Sequence, residues 1–418
     1  MTRSLKEKAH VLAIKRSINQ REFVILVALL MACNSIAIDI MLPALDTIAE
    51  SLHIIDENSR QYIIFAYLGG LGFAQLVFGP ISDCYGRRAP LLYALIFYTL
   101  GALGCIFASD FYTLLLCRFV QGIGGAGTRV LNISMIRDLY EGRRMAQVMS
   151  ITLLAFLVIP IIAPATGQAI MLLGNWHYIF IFMAIAGLII GLWAFIRLPE
   201  TLYKSTPLTV SSVKNSFWTI LSNRTALCYS LAFSLIMGAL FGSISTSEQL
   251  FVGIYDLGPW FPAAFATAAF AQAVSAFLNA RFVGQFGMRR IAHSQLLSFS
   301  TLAALWIITS TYMGGIAPLP LCMFFYMGIM FAFGSMGTNF NSLAMDPLGK
   351  VAGTASSVFG FLQITIGTGL GALIGQQFSQ KSTAPLATGY LLLGLGAILL
   401  VLLAEKGRLF GQKSKPIQ

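Results

Sequence analysis

Long uninterrupted apolar runs, separated by short polar connections, set the pattern of this chain. A hydrocarbon core of about 30 Å takes about 20 helical residues to cross. Runs of that size lie near 23–45, 61–81, 90–108, 111–135, 145–173 and 178–197. After a polar stretch, more follow near 226–250, 260–280, 291–310, 316–344, 351–378 and 384–404. The pattern predicts an all-α membrane protein of twelve transmembrane helices in two six-helix bundles. Its parts are a cytoplasmic N-terminal segment at 1–22, an N-terminal bundle at 23–197 and a cytoplasmic central linker at 198–225. A C-terminal bundle at 226–404 and a cytoplasmic tail at 405–418 complete it. No small-residue cleavage site follows the first apolar run, which reads as a retained helix.

Composition strengthens this reading. Of the 418 residues 57% are hydrophobic and only 10% charged, against about a quarter charged in soluble domains. The mean hydropathy is +0.78. A net charge of +11 would suggest nucleic acid in a soluble protein, yet no nucleic-acid motif is present. In a membrane protein, basic residues collect in cytoplasmic loops. Arg87 and Arg88, Arg137, Arg143 and Arg144, Arg197 to Arg224, Arg281 to Arg290, Lys350 and both terminal segments carry the basic residues of one side. The other side holds Arg60 and Lys381, with an acidic first loop of Asp46, Glu50, Asp56 and Glu57. Both termini are therefore expected in the cytoplasm, with the protein in the inner membrane. The six cysteines have no CxxC spacing and the four histidines are scattered. No metal, disulfide or cofactor is expected, and no nucleophile set or phosphate loop supports an enzyme.

The two halves echo one another. Gly79-Pro80-Ile81-Ser82-Asp83-Cys84-Tyr85-Gly86-Arg87-Arg88 closes the second span, and Asn279 to Arg290 closes the eighth with Gly287-Met288-Arg289-Arg290. Gly86 and Gly287 lie about half the chain apart. Such a repeat is the signature of a two-bundle transporter with a midplane site between its halves.

The motifs that follow resemble the major facilitator superfamily, and within it the Bcr/CflA-type twelve-span drug:proton antiporters. Gly79, Asp83, Gly86, Arg87 and Arg88 match the loop 2–3 signature, which implies a conformational latch. Cys84 stands where the family has a base. In the fourth span Arg118-Phe119-Val120-Gln121-Gly122 resembles the second motif, whose arginine serves proton coupling in the family. Pro160, Pro164 and Gly167 resemble the antiporter motif of the fifth span, with Ile159 and Ala163 in place of its first glycines. Asp39 to Leu45, Arg137 to Tyr140, Leu198 to Leu202 and Ala344 to Gly349 match shorter stretches of the subfamily. The resemblance implies a proton-driven exporter of drugs or small amphipathic molecules, monomeric in the lipid bilayer, working by alternating access. Export of an endogenous metabolite or siderophore is the alternative, and a non-transporting membrane sensor a third reading.

Intramembrane charge narrows the candidates. Charged side chains at membrane depth are costly and mark function. Asp39 in the first span and Arg118 in the fourth lie at similar depth, so an ion pair or water-bridged pair for proton coupling is expected. Glu248 is either a second cavity acid or a solvated helix-end residue. Arg129 follows Arg118 by about three turns on one face. It either snorkels toward the cytoplasm or extends a basic stripe, which would suit an anionic or zwitterionic substrate. Tyr67, Gln121, Asn132, Asn339, Asn341 and Gln363 are polar cavity candidates that also suit helix joining. Gly367, Gly371 and Gly375 read as close packing.

Overall fold

A computed structural model describes residues 17–205 and 220–410, with Ile14 and Trp218. Most basic residues expected in the terminal segments, and Lys214, lie outside the described residues. Among the described residues the fold is all-α, as the apolar pattern predicts. Twelve long helices follow one another there: α1 Gln20–Asp39, α2 Tyr62–Tyr85, α3 Arg88–Ile106, α4 Phe111–Leu139, α5 Gly142–Leu173 and α6 His177–Arg197. Then come α7 Arg224–Glu248, α8 Phe261–Phe286, α9 Met288–Tyr312, α10 Leu319–Met345, α11 Ala352–Gln376 and α12 Ala384–Ala404.

Among the described residues ten helical segments are long and apolar enough to cross a membrane by length and composition. α4 and α5 fall outside that set, α5 with a shorter apolar stretch at Val158–Leu173. In α4 the cause is its polar residues. Arg118, Gln121, Thr128, Arg129 and Asn132 depress its hydropathy, and Arg118, Gln121, Thr128 and Asn132 are buried on its inner side. A helix polar inside and apolar outside is what a transporter needs where it carries its chemistry.

The chain folds into two compact units, Met1–Ile54 with Ala66–Lys214 and Ile55–Phe65 with Asn215–Gln418. In the first, α3 packs along α4 and α6, and α1 along α5. In the second, α9 packs along α10 and α12, and α7 along α11. The second set repeats the first shifted by six helices, which is the internal repeat seen in the sequence. Gly367 and Gly371 of α11 lie against Gly238 and Gly242 of α7, so the small-residue stripe serves close packing as expected.

The span containing Asp39 is interrupted just beyond it. Pro43 sits in a 3₁₀ turn, Leu42–Ala44, and a short helix, Leu45–Ser51, follows. Pro43 lacks an N–H to continue the α ladder. α5, by contrast, runs through Pro160 and Pro164 without interruption. Gly167 of α5 presses against the end of α1, where an added Cβ would run into the Ile40 carbonyl oxygen and meet Pro43 at 3.2 Å. Gly167→Ala is therefore expected to cost about 1–3 kcal/mol as an overpacked contact, seen as a lower thermal midpoint of the purified protein. An unchanged midpoint would contradict the close approach.

Candidate functional site

Within the first unit a polar layer runs through α1, α2 and α4. Asp39 is 2% exposed. Ser35, one turn earlier, donates to its Oδ2 at 3.2 Å, while Oδ1 is buried without a hydrogen-bond partner among the described residues. Arg118 is fully buried. It donates to the Ala37 carbonyl at 2.7 Å and to Gln121 Oε1 at 2.6 Å. Its guanidinium also lies 4.8 Å from the Tyr67 ring centroid and 6.0 Å from that of Phe180. Of the two expected arrangements, the direct Asp39–Arg118 ion pair is not formed among the described residues. The arginine instead grips the backbone two residues before the acid, and its charge is spread over carbonyl, amide and ring faces.

Below this pair the polar candidates tie helices together. Tyr67 donates to Asn34 Oδ1 at 3.0 Å, and Asn34 donates to Thr128 Oγ1 at 2.7 Å, joining α2, α1 and α4. Asn132 donates to the Val27 carbonyl at 2.5 Å. Asn34 and Thr128 were not singled out in the sequence, because an uncharged polar residue in a span gives no distinguishing signal. Arg129 is half-buried.

At one end of the same unit the loop-signature residues form a closed network. Gly86 has φ +89, and an added Cβ there would strike the Glu200 carboxylate. That carboxylate accepts from the Arg87 and Arg88 backbone N–H groups at 2.7 and 3.1 Å, at the start of α3. Arg87 bridges Asp83 at 2.5 Å and Asp138 at 2.9 Å. Thr201 donates to Asp138 as well, at 3.2 Å. Asp83 thus takes the arginine, and Glu200 takes the helix N-terminus. Arg88 donates to the Phe195 carbonyl at 2.6 Å, and Gly79 supplies the carbonyl that Ser82 bonds at 2.8 Å.

The second unit holds a different polar cluster. Glu248 is neither solvated nor alone. It pairs with Arg60 at 3.2 Å, the two side chains 3% and 5% exposed. Gln61 donates to Gln249 Oε1 at 2.6 Å and to the Gly375 carbonyl at 3.3 Å. Asn58 accepts from Gln249 at 2.9 Å and donates to the Phe378 carbonyl at 3.1 Å. Arg60 looked like a loop base in the sequence; its partner, far along the chain, could not be read from spacing. Elsewhere in this unit Asn339 donates to Asn279 at 2.7 Å, and Gln363 to Asn341 at 2.7 Å.

An apolar groove of about 610 Å³ lies on the first unit, lined by Phe73, Val77, Ile81, Tyr85, Tyr93 and Phe97. It holds none of the charged residues above, so size alone does not locate the chemistry.

Breaking the Arg60–Glu248 pair should reveal its strength. Glu248→Gln alone leaves a buried guanidinium without its counter-charge and is expected to cost about 3–5 kcal/mol. Adding Arg60→Gln should restore much of that loss in the thermal midpoint. Losses that simply add would contradict the pairing.

Comparison with known proteins agrees with this architecture. The Major Facilitator Superfamily model matches residues 27–372. The chain is 29% identical to a bicyclomycin resistance protein homolog of Haemophilus influenzae, over 87% of this chain and 91% of that one. It is 28% identical to multidrug resistance protein D of Escherichia coli, over 92% and 95% of the two chains. The crystal structure of a D-xylose-proton symporter matches 91% of this chain and 95% of its own with a TM-score of 0.73 at 14% identity, a likeness of fold. With a family match across most of its length and the same helical fold, the chain is a multi-pass membrane transporter of the Major Facilitator Superfamily.

Proposed function

We propose that this transporter is a proton-coupled exporter of drugs or other small amphipathic molecules. It works as a monomer by alternating access in the inner membrane, with both termini in the cytoplasm. The observation that carries the proposal is Asp39, a carboxyl buried in the first span with one oxygen held by Ser35 and the other without a donor. A proton can arrive at or leave that oxygen without any ion pair having to break. Arg118 is fastened to the Ala37 carbonyl on the same helix end. Protonation at Asp39 therefore acts on the backbone that positions Arg118 and, through its ring contact, Tyr67.

In the outward-facing state Asp39 takes up a proton and substrate leaves. In the inward-facing state the proton is released and substrate reloads. Its likeness to a bicyclomycin resistance protein homolog and to multidrug resistance protein D supports export of drugs. A second reading, export of an endogenous anionic metabolite, is favoured by the buried basic face of α4. A non-transporting sensor does not fit the family.

The test uses full-length protein in proteoliposomes, with the drug against which it protects most strongly in a pump-deficient strain. Asp39→Asn is expected to lower accumulation driven by a pH gradient at least about tenfold. It should retain exchange of labelled for unlabelled drug across equal concentrations. Undiminished gradient-driven accumulation in the variant would overturn the coupling role. Equal loss of exchange would move Asp39 from proton coupling to structure or substrate binding.

A further inference from the structure

The inner face of α4 carries a second arginine that the coupling scheme does not use. Arg129 follows Arg118 by eleven residues, about three helical turns, so both project to one side. The neighbours on that side identify it. Gly125, one turn before Arg129, sits against the Tyr67 hydroxyl and the Asn34 amide. Asn132, three residues after it, bonds the Val27 carbonyl of α1. Leu116 of α4, 63% exposed, lies on the far side of the helix from Arg129. Arg129 is thus aimed into the unit.

Two further observations separate it from a purely structural arginine. It has neither hydrogen bond nor ion pair among the described residues, unlike Arg118. Its half-buried state contrasts with the fully buried Thr128, Leu131 and Asn132 around it, so part of the side chain stays accessible.

A guanidinium has five donors and no acceptor, and it favours a planar carboxylate or a phosphate-like group as partner. The polar layer of α1, α2 and α4 holds Asp39 at the end of α1 and Arg118 and Arg129 within α4, so two fixed positive charges face one carboxyl. Such a layer repels a lipophilic cation and attracts an anion.

We propose that Arg129 anchors an anionic group of the substrate, a carboxylate or an equivalent oxyanion, making this transporter selective for anions and zwitterions over lipophilic cations. The proposal rests on the exporter reading and names its substrate class.

The experiment measures equilibrium binding by fluorescence anisotropy to the purified full-length protein, with no proton gradient. Two xanthene dyes of similar skeleton serve as probes, anionic fluorescein and cationic rhodamine 123. Fluorescein should bind at least about tenfold more tightly than rhodamine 123. Arg129→Gln should abolish that preference, while Arg129→Lys retains most of it. Both variants are first checked for a monodisperse, thermally stable protein, and the wild-type dye ratio decides even if the glutamine variant fails to fold. An affinity for fluorescein no greater than for rhodamine 123, or a preference unchanged in a folded Arg129→Gln protein, overturns the proposal. Asp39→Asn should keep the anion preference, so loss of proton coupling and failure of anion recognition give different results.

Discussion

A charge held inside a membrane protein must find its solvation within the fold, and most of what is specific to this transporter follows from how each buried charge does so. Arg118 is served by a backbone carbonyl, a side-chain amide and two aromatic rings. Arg60 has Glu248, and Arg87 has Asp83 and Asp138. These groups are held in place by the protein itself. Among the described residues Asp39 keeps an oxygen without a donor, and Arg129 keeps a guanidinium without an acceptor. In the proposed function a proton and a substrate anion are the ligands that complete them.

The loop-signature network shows the same economy at a helix end. Gly86 alone tolerates the backbone turn and leaves room for the Glu200 carboxylate. That carboxylate then sits on the first amides of α3, where the helix dipole favours negative charge. Arg87 draws together the end of α2 and the end of α4 through two acids. Every contact is between charged or strongly polar groups at an end of the helices, where water can replace each partner. Contacts of that kind suit an assembly that closes in one state and opens in another.

Much of this was legible in the chain. The spans follow from run length, the repeat from Gly86 and Gly287, and the candidate charges from their rarity in apolar sequence. Partners were much less legible. Arg60 and Glu248 lie in distant parts of the chain, and nothing in spacing joins a loop base to an acid at the end of α7. Asp39 and Arg118 were matched by depth, which is only one coordinate of three. Their rotation about the helix axes left the arginine on Ala37. Glu200 lay in a stretch that resembled the family, but its task as acceptor for the α3 amides depends on tertiary contact. Asn34 and Thr128 carry no charge and so left no mark on the hydrophobic pattern.

The central claim is that Asp39 exchanges a proton against substrate. Its most direct test is proton release from the purified full-length protein in weakly buffered detergent, followed with a pH-sensitive dye as a transported drug is added to saturation. The account expects release of up to about one proton per chain, strongest where the carboxyl is protonated before binding, and none from Asp39→Asn. Equal release from wild type and Asp39→Asn, or none from wild type at any pH where it binds drug, would contradict it.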